Sequence, residues 1–425
     1  MDRRTRGWSP FAASAAAAVL VLGAVPATAD TAANSPAWEK PVQLMDRTDA
    51  DYVDAVTTQR GLTVVKWELA ASCAPLELSV RGANSPSWTR LSEPVIDRGS
   101  STLLTAGRNR AVLVTTTCAD DGITFQRVFR DRLGRTHEIA SPTQVEAADA
   151  AINSVGGLVA IWDRHEGGSQ VTNGAYWTKD AGWQDLPELH QDAVTLVRHV
   201  MLSDSGEVLV VGNCDAGICA HTLEDGEWTT QLLPDSDGFR DFKVVSSPSG
   251  HVTAMWLRID GGYRVLTASR LPGKRFQQPE TLTPDRSCAA SWLCADLDID
   301  ADGDVTAIWP FGDLADGTYH LARRSAGTGE WSPPELLVDP HTLATPAVDV
   351  NARGDAMAWI DDSGQGRGMV WQCRLDQTCL AVPYRRHVEG EFMAGPRGSA
   401  TAVFGQLVCD EECTVANLAG ARLIP

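Results

Sequence analysis

The sequence predicts an all-β fold, a β-propeller, and two observations lead to that prediction. The first is a hairpin pattern in which two alternating runs of apolar and polar residues flank a glycine turn, clearest in Asp298–Trp309 (DIDADGDVTAIW). The second is the recurrence of this pattern about every 50 residues, a period typical of propellers and repeat arrays. Aligned on the turn, the hairpins centre on Gly61, Asn109 (a degenerate copy), Gly156, Gly206, Gly250, Gly303, Gly354 and Gly398.

Each hairpin is followed by a third alternating run and by a fourth that usually begins with an aromatic residue. Val265–Arg270 and then Phe276 illustrate this, as do Tyr319–Arg324 and then Trp331. Four strands with turns rich in Gly, Asp, Asn and Ser make one propeller blade. An aromatic residue also closes most hairpins, and we expect these side chains to be wedges in the core: Trp67, Trp162, Trp256, Trp309, Trp359 and Phe404.

The two ends of the chain predict how the ring closes. Trp38–Leu44 resembles a fourth strand without the first three, and Thr414–Ile424 resembles a third strand without a fourth. We therefore expect the N-terminal strand to complete the last blade, which leaves no open sheet edge. Counting hairpins predicts eight four-stranded blades in a single domain, residues 30–425; the count is seven if the degenerate unit at Asn109 is not a blade.

Residues 1–29 have the features of a secretory signal peptide. Three arginines precede an apolar run, Phe11–Val25, and Ala27-Thr28-Ala29 forms a small-x-small cleavage site. The apolar run is too short for a spanning helix. We expect a secreted, extracellular protein that begins near Asp30.

The net charge argues against two classes of partner. It is −19 for the whole chain, and removing residues 1–29 takes away three arginines and one aspartate, which makes it −21. Nucleic acid and anionic membranes need clustered Lys and Arg, so neither is expected as a partner. The acidity suits cations, or only solubility. A monomer is expected.

The ten cysteines are expected to form disulfides, because the number is even and the chain is predicted to be exported. None has the spacing of a zinc site. Eight fall into close pairs and the remaining two are expected to join, which gives Cys214–Cys219, Cys288–Cys294, Cys373–Cys379, Cys409–Cys413 and Cys73–Cys118.

One position of the repeat predicts a polar mouth at the propeller axis. It lies seven residues before each turn glycine, where the innermost strand enters the ring. In chain order it holds Asp54, Thr102, Asp149, His199, Lys243, Asp296, Ala347 and Glu391. Convergent oxygens suit a cation or a polyhydroxyl ligand. Alternatively, a water-filled channel simply tolerates polar residues. The candidate ligand-binding residues are Asp54, Asp149, His199, Asp296 and Glu391.

A long connection, Thr281–Ala295, supplies a further candidate, Trp292, between Cys288 and Cys294. A disulfide-held loop with an exposed aromatic would lose little conformational entropy on binding a ligand. The alternative is that Trp292 packs against a neighbouring loop.

The acidic run Asp298–Asp304 resembles the first half of a calcium-binding loop, but the twelfth position holds Trp309 where a glutamate is required. Alternation along a strand into an Asp-Gly turn explains the same residues. No metal or other cofactor is predicted. The chain has no G-x-S-x-G elbow, no P-loop and no H-E-x-x-H.

The repeat W-x-x-P-E-L-L … D-x-x-G-x-A-x-A-W … A-x-R … G-x-W, clearest from Asp300 to Trp359, resembles the secreted sialidase-like propeller repeats of actinobacterial exported proteins. The resemblance implies a propeller and, in that family, glycoside hydrolysis by an arginine triad, a Tyr–Glu nucleophile pair and an Asp acid/base. The family's S-x-D-x-G-x-T-W box is present only in part, at Ser203–Gly206 and Asp302–Asp304, and Tyr52 is the one tyrosine that starts an inner strand.

These observations favour a non-catalytic propeller that binds an extracellular glycan or protein through its axial loops. A sialidase-like glycoside hydrolase and a structural scaffold of the cell envelope are the alternatives.

Overall fold

The structure, a computed structural model, describes the chain from residue 37 to residue 424 with gaps: 37–38, 42–45, 50–69, 76–91, 98–106, 110–117, 122–139, 145–166, 169–189, 196–259, 263–283, 295–310, 318–338, 346–362, 367–374, 378–385, 390–394, 399–409 and 413–424. Every regular element of this part is a β-strand. The predicted signal peptide, Trp292, Cys73, Cys118, Cys288 and Cys294 lie outside the described residues.

The strands follow one another along the chain in groups of four after two short N-terminal strands. The N-terminal pair is β1 (Ala37–Trp38) and β2 (Val42–Met45). Blade 1 contains β3 (Ala50–Thr57), β4 (Thr63–Leu69), β5 (Glu77–Arg81) and β6 (Thr89–Arg90). Blade 2 contains β7 (Arg98–Ala106), β8 (Arg110–Thr117), β9 (Ile123–Val128) and β10 (His137–Ile139). Blade 3 contains β11 (Val145–Ile152), β12 (Leu158–Glu166), β13 (Ser169–Thr178) and β14 (Gly182–Asp185). Blade 4 contains β15 (Leu196–Leu202), β16 (Val208–Cys214), β17 (Gly217–Glu224) and β18 (Glu227–Leu232).

The second half of the chain repeats this arrangement. Blade 5 contains β19 (Phe239–Ser246), β20 (Val252–Ile259), β21 (Tyr263–Arg270) and β22 (Glu280–Thr281). Blade 6 contains β23 (Asp296–Ile299), β24 (Val305–Pro310), β25 (Thr318–Arg324) and β26 (Glu335–Val338). Blade 7 contains β27 (Pro346–Val350), β28 (Ala356–Asp362), β29 (Arg367–Cys373) and β30 (Leu380–Arg385). The last strands are β31 (Gly390–Ala394), β32 (Ala400–Cys409) and β33 (Cys413–Ile424).

The protein is an all-β propeller of four-stranded blades. Within each blade every strand pairs antiparallel with the next, as in β23-β24-β25-β26. The described residues form seven four-stranded blades, the smaller of the two predicted numbers, and the degenerate unit at Asn109 is one of them, blade 2. The sheet of the last repeat departs from the four-stranded pattern. It has five strands, because β1 and β2 both pair along the long strand β33.

This five-stranded sheet, here called the closing sheet, joins the two ends of the chain as the sequence predicts. Its innermost strand, β31, contacts β27 and β28 of blade 7 on one side and β3 of blade 1 on the other. Each innermost strand likewise contacts the innermost strand of the next blade. The core accordingly lies between blades: one cluster combines Met255, Leu257 and Val265 of blade 5 with Leu297 and Trp309 of blade 6.

The inner hairpins share a turn that explains the recurring glycine. In blade 6 the Gly303 N–H donates to the Asp300 carbonyl oxygen at 3.3 Å, and Gly303 has φ 95°. A turn that ends in this left-handed conformation favours glycine because a Cβ would be strained there. The Asp300 carboxylate accepts the N–H groups of Asp302, Gly303 and Asp304, each at 2.9 Å. Side-chain oxygens at the same position cap the other inner-hairpin turns that the structure describes: Thr58, Asn153, Ser203, Ser247 and Asn351.

Four of the five tryptophans that close the inner hairpins are core residues, as predicted. Trp67 and Trp256 are fully buried, Trp309 is 2% exposed and Trp162 is 6% exposed. Trp359 is only half-buried, and the side chain of Phe404 lies outside the described part.

Two of the predicted disulfides lie within the described residues, and both are formed. Cys214–Cys219 closes the turn between β16 and β17, and Cys373–Cys379 closes the turn between β29 and β30. The side chains of Cys409 and Cys413 are outside the description.

Candidate axial site

A cavity of about 790 Å³ lies where the innermost strands converge. Its lining comes from β3, β11, β15, β19, β23, β27 and β31 and from the hairpin turns that follow several of them. Because these strands belong to sheets all around the ring, the cavity lies on the propeller axis. Its polar and charged side chains include Arg60, Asp149, His199, Ser246, Asp298, Asp349 and Arg353.

Two of the sequence-predicted residues, Asp149 and His199, line this cavity. Asp54 and Asp296 are half-buried and are not among the residues that line the cavity, and a lysine lies close to each. Lys66, which is fully buried, lies 3.6 Å from the Asp54 carboxylate. Lys243 forms an ion pair with Asp296. The side chain of Glu391 lies outside the described part.

Besides the turn-capping Asp300, two lining carboxylates, Asp298 and Asp349, were not predicted from the sequence as axial residues. Each lies two residues beyond the predicted level, after Asp296 and Ala347 respectively, and a strand repeats its direction every two residues. Both side chains therefore point to the same side as the predicted position. A search of alternate positions along each inner strand would have found them.

The axial carboxylates also connect neighbouring sheets. Oδ2 of Asp298 accepts the Val350 N–H at 2.6 Å, and Oδ2 of Asp349 accepts the Ala394 N–H at 2.5 Å. Asp296 accepts the Val348 N–H in the same way at 2.9 Å. The inner edge of each innermost strand carries backbone N–H groups that no further strand can pair. Carboxylates at this level satisfy some of them across the blade boundary.

Burial changes the protonation behaviour of the cavity. It raises the pKa of Asp149 to about 6, although backbone N–H groups of Ala150 and Val200 act in the opposite direction. Burial likewise raises the pKa of Asp298 to about 6, against the nearby positive charge of Lys243. Two carboxyl groups that line one cavity therefore titrate close to mildly acidic pH.

The basic residues are shifted in opposite directions. Burial, and then the charge of Lys243, lowers the pKa of His199 to about 4. Its Nε2 lies 2.8 Å from the Ser246 hydroxyl of the next blade. Burial also tends to lower the pKa of Lys243, but Asp296, Asp298 and Asp349 outweigh it and raise that pKa. At neutral pH the imidazole of the cavity is therefore neutral, while the neighbouring ammonium of Lys243, outside the lining, is charged.

The acidic run of blade 6 is used by backbone N–H groups. Asp300 caps its own turn, Asp298 bonds to Val350, and Oδ1 of Asp304 accepts the Ala326 N–H at 2.7 Å. Among the described residues, no group of three or more His, Cys, Asp or Glu side chains is arranged to hold a metal ion. Turn formation thus accounts for the pattern that resembles a calcium loop.

Within the same part of the chain, no helix is long and apolar enough to cross a lipid bilayer.

The chain matches no protein-family model and no curated protein sequence. Among solved structures, one of the two prolyl endopeptidases of a comparative study is similar with a TM-score of 0.50 and 15% identity, over 85% of this chain and 55% of that one. The six-bladed propeller lectin of Aleuria aurantia is similar with a TM-score of 0.40 and 11% identity, over 69% of this chain and 97% of the lectin. NanB sialidase of Streptococcus pneumoniae is similar with a TM-score of 0.40 and 9% identity, over 90% of this chain and 70% of the sialidase. At these identities the likeness is one of fold alone, and the resemblance to sialidase-like propellers holds at that level.

Proposed function

We propose that the protein is an exported, non-catalytic binding protein whose axial cavity holds part of an extracellular carbohydrate. The observation that carries this proposal is the cavity of about 790 Å³ lined by side chains from sheets all around the ring. Its volume lies within the range of about 300–1,000 Å³ that is usual for ligand sites. A ligand that reached it would be surrounded by the inner ends of the blades.

The chemistry of the lining favours a polyhydroxyl ligand. A sugar hydroxyl both donates and accepts hydrogen bonds, and its partners in proteins are carboxylates, guanidinium groups and hydroxyls. The cavity offers all three, in Asp298 and Asp349, in Arg60 and Arg353, and in the Ser246 hydroxyl. An apolar ligand would leave these groups desolvated without partners, at a cost of about 1–3 kcal/mol for each neutral group.

A glycoside hydrolase is the second candidate, favoured by Asp149 and Asp298. A carboxyl group with a raised pKa can act as a general acid near neutral pH, and glycosidases use two carboxyl groups across the scissile bond. Both aspartates line the cavity and have pKa values of about 6. An enzyme would release reducing sugar from the bound glycan, and that release would stop in Asp149→Asn or Asp298→Asn.

The glycan array is the experiment that tests the binding proposal. It would compare residues 30–425, wild type, with Arg353→Ala, because Arg353 is an exposed residue of the cavity lining and its removal should not disturb the core. Arg275→Ala, an exposed arginine outside that lining, is the matched control. We expect selective binding that is lost in Arg353→Ala and kept in Arg275→Ala.

A Trp292→Ala variant on the same array tests the predicted recognition loop. Loss of binding in Trp292→Ala alone would place the ligand at that loop and contradict the axial proposal. A blank array would favour the third alternative, a protein-binding scaffold of the envelope, which pull-down from the producing cell's envelope would then test.

We further propose the finer details of the architecture and the location. The closing sheet takes the eighth place in the ring, because β31 contacts blade 7 on one side and blade 1 on the other. Residues 1–29 are a signal peptide and residues 30–425 form the mature domain. The Cys214–Cys219 and Cys373–Cys379 disulfides agree with an oxidising compartment. N-terminal sequencing of the secreted product should give Asp30; an uncleaved, cell-retained chain would contradict export.

A further inference from the structure

A second cavity, of about 100 Å³, lies between blades 5 and 6 and is formed without the innermost strands. Blade 5 contributes residues of β20 and β21, and blade 6 contributes the end of β25 and the turn that follows it. Its side chains include His251, Thr253, Ser269, Arg270 and Arg324. The space equals that of about three water molecules in the liquid. No step of the axial proposal uses these residues.

Two buried guanidinium groups are the main feature of this cavity. Arg270 is 3% exposed and Arg324 is 6% exposed. Buried charges are costly unless opposite charge or hydrogen bonds compensate them. Two such groups line one small space in a chain whose net charge is −19, and the carboxylate that lies closest to them belongs to Glu207, which is paired with Arg270.

Arg270 has one donor without an acceptor among the described residues. Its Nε donates to the Lys274 carbonyl oxygen at 2.7 Å, and its Nη2 is paired with Glu207. Its Nη1 is buried and has no hydrogen-bond partner in the described part of the chain. A buried charged donor without an acceptor is more destabilising than an unsatisfied neutral group. An acceptor in the adjoining cavity would remove this cost.

Residues of blade 5 contact one side of the Arg324 guanidinium group. Its Nη2 donates to Oε1 of Gln277 at 3.2 Å and lies 3.8 Å from the Glu280 carboxylate, which is half exposed. These bonds hold the guanidinium at the blade boundary, where it lines the cavity together with Gln277. The arrangement positions Arg324 without neutralising it closely.

The remaining lining is rich in hydrogen-bonding groups. The Thr253 and Ser269 hydroxyls lie 2.8 Å apart, and either can be the donor. The hydroxyl that accepts this bond keeps its own proton, which it can donate to a ligand. Nδ1 of His251 lies 3.0 Å from the Ser249 hydroxyl, and the ring packs so closely on Gly303 that a Cβ there would clash with it. The turn 326–329 contributes backbone at the opposite wall.

We propose that this cavity binds a tetrahedral oxyanion, a phosphate or sulfate group, between Arg270 and Arg324. Guanidinium groups are the side chains best suited to such anions, because their planar donors match the spacing of the oxygens. The group could arrive as a free ion or as an ester on a polysaccharide, and the chemistry recognised is the same.

The repeat offers a matched control for this proposal. Arg81, Arg270 and Arg324 each end the third strand of their blade, and Arg81 caps its turn as Arg270 does, by a bond from Nε to the Ser85 carbonyl oxygen at 3.0 Å. Arg81 belongs to blade 1, away from the cavity. Substitution of Arg81 therefore reproduces the loss of a buried turn-capping arginine without changing the proposed site.

The test is calorimetric titration of residues 30–425 with inorganic phosphate and sulfate at constant ionic strength, with chloride as the reference. We expect saturable binding that weakens about tenfold or more in Arg324→Gln and in Arg270→Gln, because a charge-assisted hydrogen bond is lost. Arg81→Gln should bind as the wild type does. Circular dichroism checks that each variant folds. If Arg270→Gln does not fold, the result for Arg324→Gln alone decides whether the proposal holds.

A second titration separates the two sources of the anion. A sulfated polysaccharide that binds more tightly than its desulfated form, and loses this advantage in Arg324→Gln, identifies an ester as the ligand. Equal binding of the two polysaccharides, with retained binding of the inorganic ions, identifies a free ion. No saturable binding of either ion above chloride, or equal losses in Arg324→Gln and Arg81→Gln, would overturn the proposal.

Discussion

Replacing Asp149 by asparagine should change how the stability of the propeller depends on pH. The carboxyl group lines the axial cavity and its pKa is raised from 3.8 to about 6, chiefly because burial disfavours the charged form. A group whose pKa is higher in the folded state binds more protons there than in the unfolded chain. Its contribution to stability is therefore complete below pH 4 and is lost as the pH rises through about 6.

The size of this effect follows from the difference between the two pKa values. Each pKa unit corresponds to about 1.36 kcal/mol. A rise in the pKa from 3.8 to about 6 therefore lowers the free energy of unfolding by at most about 3 kcal/mol between pH 4 and pH 7. Asp149 is only half-buried by surface area, so solvent screening should reduce this to about 1–2 kcal/mol. The asparagine side chain of the variant does not titrate, so the variant should gain this amount relative to the wild type over the same range.

Urea denaturation of both proteins from pH 4 to pH 7.5 measures this difference, since the other titrations are common to the two and cancel. Asp185→Asn is the control for the substitution itself, because Asp185 lies exposed on an outer strand. A difference for Asp149→Asn that does not change with pH would refute the placement of Asp149 in a desolvated axial cavity.

Three further predictions follow from the same structure. His199→Gln should show a pH dependence opposite to that of Asp149→Asn. The pKa of His199 is lowered to about 4, so the wild type loses stability as the pH falls from about 6.5, and the variant should become more stable relative to the wild type over that fall. A stability difference independent of pH would contradict burial of the neutral ring. Trp309→Ala should lower the free energy of unfolding by about 3–5 kcal/mol, and Trp228→Ala, at a half-buried rim position, by less; a loss under about 1 kcal/mol at Trp309 would overturn its assignment as a core wedge. Replacing Cys214 and Cys219 by alanine should cost about 2 kcal/mol, because the closed loop is short, with the strand signal in circular dichroism unchanged; loss of that signal would mean that the disulfide holds the blade together.

The fold could be predicted from the sequence because each blade repeats one local solution. The left-handed glycine and its capping side chain define the hairpin, and the alternating apolar run ends on a buried tryptophan, as in Gly303 and Trp309. These signals are local and need no knowledge of distant contacts. The five strands of the closing sheet were not predicted, because Trp38–Leu44 has the pattern of a single strand in the sequence. The pairing of β1 and β2 with β33 depends on a contact between the two ends of the chain.

The axial site was predicted less completely than the fold. The position before the turn predicted two residues that line the cavity, Asp149 and His199. Asp54 and Asp296 are not among the residues that line the cavity, and their placement at an axial ligand site stays a prediction. Each is paired with a lysine: Lys66 lies directly opposite Asp54 on the neighbouring strand, and Lys243 comes from the blade that precedes Asp296. Pairing between blades depends on how the ring is assembled, which the repeat alone does not state.

Calorimetric titration of residues 30–425 with the best glycan from the array tests the central claim, that ligand binds on the axis, most directly. A single cavity on the axis predicts one ligand per chain, with binding lost in Arg353→Ala and retained in Arg275→Ala. Several equivalent ligands per chain, or the same affinity in both variants, would place recognition on the individual blades and contradict the axial site.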